Sequence, residues 1–158
     1  MDKDKEVKDI PTQKAEKTAS LAKWHKEKLT TALRWIEEQE SPQSFVVVQG
    51  AIFICQFGDN VGNEINKTRP CLVVSGNQMN TKDGNVMVAP LTTNIGDFQR
   101  AVGYIFYQKK YPFLKESSIV KANQVRSVSR IRLTEFLGRI SDEDLAKVMV
   151  RVKKVFGI

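Results

Sequence analysis

From Phe45 onward the sequence breaks into short runs rich in Val, Ile and Phe, separated by turn-forming residues. Such runs predict strands, because branched and aromatic side chains suit a pleated, half-buried surface. Ser141 then provides a helix cap, and apolar residues recur at helical spacing as far as Phe156. Several short strands with a closing helix predict a mainly β small barrel with a C-terminal helix. The predicted strands cover residues 45–57, 70–75, 86–91, 101–107, 118–122 and 132–140, and Gly50 marks a bend in the first.

The chain before Phe45 has a different character. Helix-forming residues fill positions 12–40, with Pro11 before them and Ser41-Pro42 after them, which predicts one long helix. We therefore expect an N-terminal helical extension, residues 1–44, and a barrel domain, residues 45–158. The apolar stripe of this helix is too wide to be left in water, so the barrel, a second copy or another partner should cover it. The stripe consists of Leu21, Trp24, Leu29, Leu33, Trp35 and Ile36.

Charge is concentrated in the second part of the chain. Residues 1–44 carry nine basic and nine acidic side chains, so the whole net charge of +7 belongs to residues 45–158. A local positive field of this kind attracts a polyanion, although a solvated basic face that only confers solubility is the alternative. The densest stretch has Glu116 as its only acidic residue and contains Lys109, Lys110, Lys115, Lys121, Arg126, Arg130 and Arg132.

Several classes of protein are disfavoured. Cys55 and Cys71 sit in apolar runs without metal-ligand spacing, and the only histidine is His25, so we expect reduced, buried thiols and no metal or other cofactor. No apolar run approaches the ~20 residues needed to span a bilayer, and residues 1–9 alternate acid and base, unlike a signal peptide. A cytoplasmic protein without membrane association is the expectation.

Two polar side chains stand at the ends of apolar strands. Arg69 directly precedes the predicted strand 70–75 and comes after the long polar loop 58–67. Thr92 directly follows the predicted strand 86–91, which comes after the turn 76–84. Each alone is ambiguous, since Arg69 could form a rim salt bridge and Thr92 could be an ordinary strand-end hydroxyl. Together they could hold a phosphodiester while a ribose 2'-OH attacks it, a route that needs RNA and no metal. Long Gly/Asn-rich loops such as 58–67 are often functional.

Six segments keep one order and spacing along the second part of the chain. One contains the Arg69-Pro70 strand start and another ends in Pro90-Leu91-Thr92. Together, from about Gly50 to Lys154, they resemble the MazF/PemK family of toxins over about two thirds of the chain. The segments are 50–53, 61–64, 67–75, 88–92, 123–128 and 138–143.

This resemblance implies a dimeric, SH3-like barrel from a bacterial type II toxin-antitoxin pair. Members of the family are endoribonucleases that cut single-stranded RNA at short motifs without metal, leaving 2',3'-cyclic phosphate and 5'-hydroxyl ends. Carried over by position, Arg69 and Thr92 are the catalytic residues. The resemblance also implies a cognate antitoxin whose acidic, initially disordered tail covers the RNA groove.

The same resemblance implies a set of substrate contacts in the loops and beside the catalytic pair. Asn60 and Asn66 are further candidates for base-edge contacts, and Phe57 and Phe98 for stacking on bases, with core packing as the alternative for Phe57. The predicted substrate-binding residues are Glu64, Asn63, Lys67, Thr93, Asn94, Gln124 and Arg126.

Two features depart from the family pattern: the helical extension, and Gln49 before Gly50 where a basic residue is common. An alternative function on the same barrel is a CcdB-like gyrase inhibitor or a catalytically inactive binding module, because architecture alone does not fix function. Only the nuclease needs Arg69 and Thr92 as a pair.

Overall fold

A computed structural model describes residues 8–40 and 45–158. The described residues divide into two compact units, one within Met1–Ser41 and the other within Pro42–Ile158. The predicted helix limit at Ser41-Pro42 and the predicted domain boundary after residue 44 lie outside the described residues. No helix in the described part of the chain is long and apolar enough to cross a membrane.

The first unit is one helix, α1 (Ile10–Glu38). It begins two residues before the predicted start, because the Asp9 carboxylate caps it by accepting the Thr12 N–H at 2.8 Å. Pro11 therefore lies within the first turn, where its missing N–H costs no hydrogen bond. The predicted apolar stripe is present, with Leu29 and Ile36 each more than half exposed. What covers this stripe stays a prediction.

The second unit is a curled antiparallel sheet closed by a helix, which confirms the predicted fold class. The strand order is β4-β5-β3-β2-β1-β7, and β6 also pairs with β3. Thus β5 and β6 follow one another along the same edge of β3. The elements are β1 (Ala51–Gly58), β2 (Lys67–Val73), α2 (Asn77–Lys82), β3 (Asn85–Thr92), α3 (Asp97–Val102), β4 (Tyr104–Phe106), β5 (Ser118–Val120), β6 (Arg126–Ser129), β7 (Leu133–Arg139) and α4 (Asp142–Phe156).

The sheet separates two hydrophobic cores, because successive residues of a strand point to opposite faces. In β2, Leu72 belongs to the first core, and its neighbours Cys71 and Val73 belong to the second. Val148 and Val152 of α4 join the first core, so α4 packs on the face of Leu72. The face of Cys71 is therefore the one turned away from α4.

Two predicted strand starts are wrong, those of β1 and β2. β1 begins only at Ala51, because Gly50 has a φ of +86° and turns the chain there. β2 begins at Lys67, three residues before the predicted start. The predicted turn 76–84 contains α2, and β6 was not predicted.

The predicted strand 101–107 is also wrong in its first half. Ala101 and Val102 end α3, and β4 begins after Gly103. A side chain at Gly103 would place its Cβ 2.4 Å from the Val120 carbonyl oxygen. This close backbone approach needs glycine and ends the helix.

The C-terminal helix confirms its predicted cap. The Ser141 hydroxyl accepts the Asp144 N–H at 3.3 Å, and Gly157 ends the helix in the left-handed conformation. Asp144 itself is buried, and its carboxylate accepts hydrogen bonds from the hydroxyls of Tyr104 and Tyr111 and pairs with Lys110 at 2.8 Å. This network joins α4 to β4 and to the connection between β4 and β5.

Candidate active site

Arg69 and Thr92 lie on the neighbouring strands β2 and β3, beyond the last residues that pair between them. The last β2–β3 pair joins Cys71 to Pro90, and Arg69 and Thr92 each lie two residues beyond it. Both residues still belong to their strands, and neither is buried. Opposite residues of an antiparallel pair project from the same face, so the guanidinium and the hydroxyl share one side of the sheet.

The Arg69 side chain is held by the loop before it. Its Nε donates a hydrogen bond to the Asn66 carbonyl oxygen at 2.7 Å. This bond uses the nitrogen nearest the aliphatic stem and leaves the forked Nη end to face a ligand. A guanidinium presented in this way suits a phosphate group, which it can contact at two oxygens.

The Thr92 hydroxyl has a defined orientation as well. Its Oγ1 accepts the Asn94 N–H at 3.2 Å. Because the oxygen is engaged as an acceptor, the hydroxyl hydrogen is available to donate to a developing negative charge. Thr93 and Asn94 are exposed directly after it, at the end of β3.

The 59–66 loop, which joins β1 to β2, is held by side-chain amides. Asn60 donates from Nδ2 to the Ile65 carbonyl at 2.7 Å, and its own N–H donates to the Asn66 Oδ1 at 2.6 Å. Gln124 bonds the loop from the other side, accepting the Ile65 N–H at 3.1 Å and donating to the Asn63 carbonyl at 2.9 Å. The amides of Asn60, Asn66 and Gln124 thus contact the loop backbone, a use that the sequence did not predict.

Other predicted substrate contacts lie on the exposed side of this loop. The Asn63 and Glu64 side chains are exposed, and Glu64 accepts the Val61 N–H at 3.2 Å. Lys67, also exposed, has a φ of +70°, a conformation rare for a residue with a side chain. A β-bulge between Gln56 and Gly58 accompanies it.

Arg126 lies on the same face as Arg69, at the start of β6. It pairs with Val88, and Val88 pairs with Val73, two residues along the face from Cys71. Because paired residues share a face, Arg126 extends the positive charge of that face.

Arg132 is a further charge near Arg126 that was not predicted as a site residue. Its Nη1 donates to the Gln56 carbonyl at 3.0 Å. Burial lowers the pKa of Arg132, and the neighbouring Arg126 charge lowers it further. The nearness of these two charges comes from the turn before β7, which the sequence pattern did not reveal.

The two aromatic candidates for stacking on bases differ in side-chain exposure. Phe57 is 2% exposed and packs in the second core, as the core-packing alternative for it expected. Phe98 on α3 is 62% exposed, as a stacking residue would have to be.

The two cysteines are free and buried in the second core, as predicted. Burial raises the pKa of the Cys71 thiol, and its hydrogen bond with Cys55 raises it further, so the thiolate form is disfavoured. Within residues 8–40 and 45–158, no three His, Cys, Asp or Glu side chains are grouped so that they could hold a metal ion.

Comparison with known proteins decides the family. A family model described as PemK-like, MazF-like toxin of type II toxin-antitoxin system matches residues 48–156. The chain belongs to this toxin family. The match spans the barrel and α4, and it confirms the resemblance found in the sequence motifs.

Individual relatives agree with this assignment. Endoribonuclease EndoA of Bacillus subtilis (strain 168) is 26% identical over 103 residues, which are 65% of this chain and 88% of EndoA. MazF from Deinococcus radiodurans superposes with a TM-score of 0.63 at 23% identity, covering 73% of this chain and all of that one. An endoribonuclease in complex with its cognate antitoxin, from a mycobacterial species, gives 0.58 at 19% identity, with 71% and 96% covered. These two structures establish the shared fold.

Proposed function

We propose that this MazF/PemK-family toxin is an endoribonuclease that cuts single-stranded RNA at a short motif, without metal. The observation that supports the proposal is that Arg69 and Thr92, two residues beyond the Cys71–Pro90 pair, project from one face of the sheet, and that Arg126 adds positive charge to that face. The name of the relative EndoA points to the same activity.

The proposed reaction is attack of the ribose 2'-oxygen on its own 3'-phosphate. The 2'-hydroxyl loses its proton, the bond from phosphorus to the 5'-oxygen breaks, and the 5'-oxygen gains a proton. The products are a 2',3'-cyclic phosphate and a 5'-hydroxyl. Because five oxygens surround phosphorus in the transition state, negative charge builds up on those that do not bridge.

Arg69 and Thr92 stabilise that negative charge in the proposed reaction. We assign the Nη end of Arg69 to the non-bridging oxygens, because arginine stays protonated and serves better as a charge than as a base. The Thr92 hydroxyl donates a hydrogen bond to the same phosphate. We assign the predicted substrate-binding residues to contacts with the RNA on either side of the cleaved phosphate. These residues are Glu64, Asn63, Lys67, Thr93, Asn94 and Arg126.

The proposed partners follow from the family and from charge. Solved neighbours include MazE-MazF complexes from Deinococcus radiodurans. The net charge of +7 belongs wholly to residues 45–158, and it would attract an acidic antitoxin segment as well as RNA. We propose a homodimeric, cytoplasmic toxin that a cognate antitoxin with an acidic disordered tail inhibits.

The N-terminal segment is proposed to be accessory to catalysis. Both hydrophobic cores consist of residues from Val47 to Val152, so the barrel holds its own buried interior. Deleting residues 1–44 should leave a soluble protein that still cuts RNA. Aggregation of the shortened protein would show instead that the segment belongs to the folded assembly.

The activity is tested with purified protein and a long single-stranded RNA in EDTA. Wild type should cleave at a small number of sites, and Arg69→Ala should cleave at least ~100-fold more slowly. Arg151→Ala is the matched control, because Arg151 lies on α4, which packs on the opposite face. No cleavage by wild type, or equal cleavage by Arg69→Ala, would reject the proposal.

A further inference from the structure

Gln124 fastens the 59–66 loop to a fixed part of the barrel. It ends the 3-10 helix Ala122–Gln124, which packs against α4 and β3 and whose Ala122 is 1% exposed. From this base the Gln124 amide accepts the Ile65 N–H and donates to the Asn63 carbonyl. One side chain therefore satisfies a backbone donor and a backbone acceptor two residues apart, much as a neighbouring strand would.

The residues held by Gln124 lead directly to the Arg69 guanidinium. Asn66 follows Ile65, and its carbonyl accepts the Arg69 Nε–H at 2.7 Å. Asn60 secures the same stretch from the other side, through the Ile65 carbonyl and the Asn66 side chain. The Asn66 carbonyl thus stays in place only while the loop around it is held.

The direction of that carbonyl matters because of arginine geometry. The guanidinium is planar, so a hydrogen bond at Nε fixes the plane in which both Nη nitrogens lie. A displacement of about 1 Å in a catalytic group can lower the rate of reaction by ~100-fold. Releasing the loop should therefore turn the Nη end of Arg69 away from its working position without removing any contact with RNA.

We propose that Gln124 is a positioning residue, which sets the orientation of Arg69 through the loop and does not act by contacting RNA. Both polar groups of its amide already bond to the loop backbone. This differs from the substrate-binding role that the sequence resemblance implied. The catalytic consequence rests on the proposed ribonuclease function, whereas the structural link to Arg69 does not.

The structural link is tested by NMR on the full-length, nitrogen-15-labelled protein. Gln124→Met keeps the length of the side chain and removes both hydrogen bonds. Hydrogen exchange at the Ile65 amide and at the Arg69 Nε–H should accelerate at least ~10-fold in this variant. Asn123→Ala, an exposed position on the same 3-10 helix, should leave both rates unchanged. Core amides such as that of Leu72 report whether the barrel stays folded.

Unchanged exchange at either group in a folded Gln124→Met protein would overturn the proposal. RNA cleavage supplies the second measurement: kcat should fall about 10-fold or more, with KM within about twofold of wild type. A rise in KM at unchanged kcat would mark Gln124 as an RNA contact, and an unchanged kcat with faster exchange would also overturn the proposal. If wild type cuts no RNA, the ribonuclease function fails, and the exchange rates alone decide whether Gln124 holds Arg69.

Discussion

Arg69 and Thr92 each lie two residues beyond the Cys71–Pro90 pair, so the guanidinium and the hydroxyl project from the same face of the β2–β3 pair. The Thr92 oxygen already accepts the Asn94 N–H, which leaves its hydrogen to be donated. We propose that the two side chains contact different oxygens of one phosphate.

Removing the Thr92 hydroxyl should slow cleavage strongly. Thr92→Val keeps the shape of the side chain, and kcat should fall by about 10²–10³, the usual cost of one lost donor to a developing charge. Thr92→Ser should retain most of the activity. The control is Thr68→Val, because Thr68 adjoins Arg69 in β2 but points to the other face. Equal activity in Thr92→Val and Thr68→Val, measured by RNA cleavage, would contradict the assigned role.

The charge of Arg126 should be visible in the salt dependence of RNA binding. If Arg126 contacts a phosphate, Arg126→Gln reduces the magnitude of the slope of log K against log salt concentration by about 0.7, where K is the association constant for RNA. Binding is measured by fluorescence anisotropy with a substrate that carries 2'-deoxyribose at the cleavage site. Arg151→Gln on α4 is the control and should leave the slope as in wild type. An equal reduction of the slope in both variants would mean that RNA binding depends only on the net charge of the protein.

Gly103 should tolerate no side chain. Gly103→Ala would place a Cβ 2.4 Å from the Val120 carbonyl oxygen and 2.8 Å from that of Gln99. Because both contacts are with backbone, the strands must move, and we expect a loss of about 2–3 kcal/mol in the free energy of unfolding. Gly76→Ala meets nothing within 4 Å and should change stability little. Urea unfolding of both variants compares them, and similar midpoints would contradict this account of the α3–β4 turn.

The buried Asp144 should make the barrel sensitive to acid. Burial raises the pKa of Asp144, but hydrogen bonds from Lys110, Tyr111 and Tyr104 outweigh it, so the net pKa is lowered. A carboxyl with a lowered folded-state pKa stabilises the fold above its unfolded pKa of about 3.9, and that stabilisation disappears as pH falls through the folded-state value. Asp144→Asn should therefore lose less stability than wild type between pH 7 and pH 3. Parallel urea titrations at both pH values test this, and the same loss in the two proteins would show that Asp144 is not the acid-sensitive group.

Much of the fold followed from local pattern. The apolar runs predicted β2, β3, β5 and β7, and the Ser141 cap predicted α4, because these elements depend on alternation, burial and capping. The helix at Ala101 was missed, since a short apolar run suits either state and only the close approach of Gly103 to Val120 decides it. Tertiary contacts of this kind have no local signal.

The sequence likewise predicts some residues of the candidate site and not others. Arg69 and Thr92 could be predicted because a strand start and a strand end carry them in recognisable motifs. The loop-holding role of Gln124 depends on bonds to residues 59 and 61 positions away, and the Arg132 guanidinium reaches the Gln56 carbonyl across 76 positions. Spacing along the chain contains no information about such contacts.

In the proposed reaction, a ribose 2'-hydroxyl attacks a phosphate held by Arg69 and Thr92. The most direct measurement uses an RNA with one 2'-deoxyribose at the mapped cleavage site, beside the same RNA without it, with the product ends identified by mass spectrometry. The all-ribose RNA should give a 2',3'-cyclic phosphate and a 5'-hydroxyl, and the substituted RNA should stay intact at that site. Cleavage of the substituted RNA there, or a 5'-phosphate on the product, would contradict the proposed reaction.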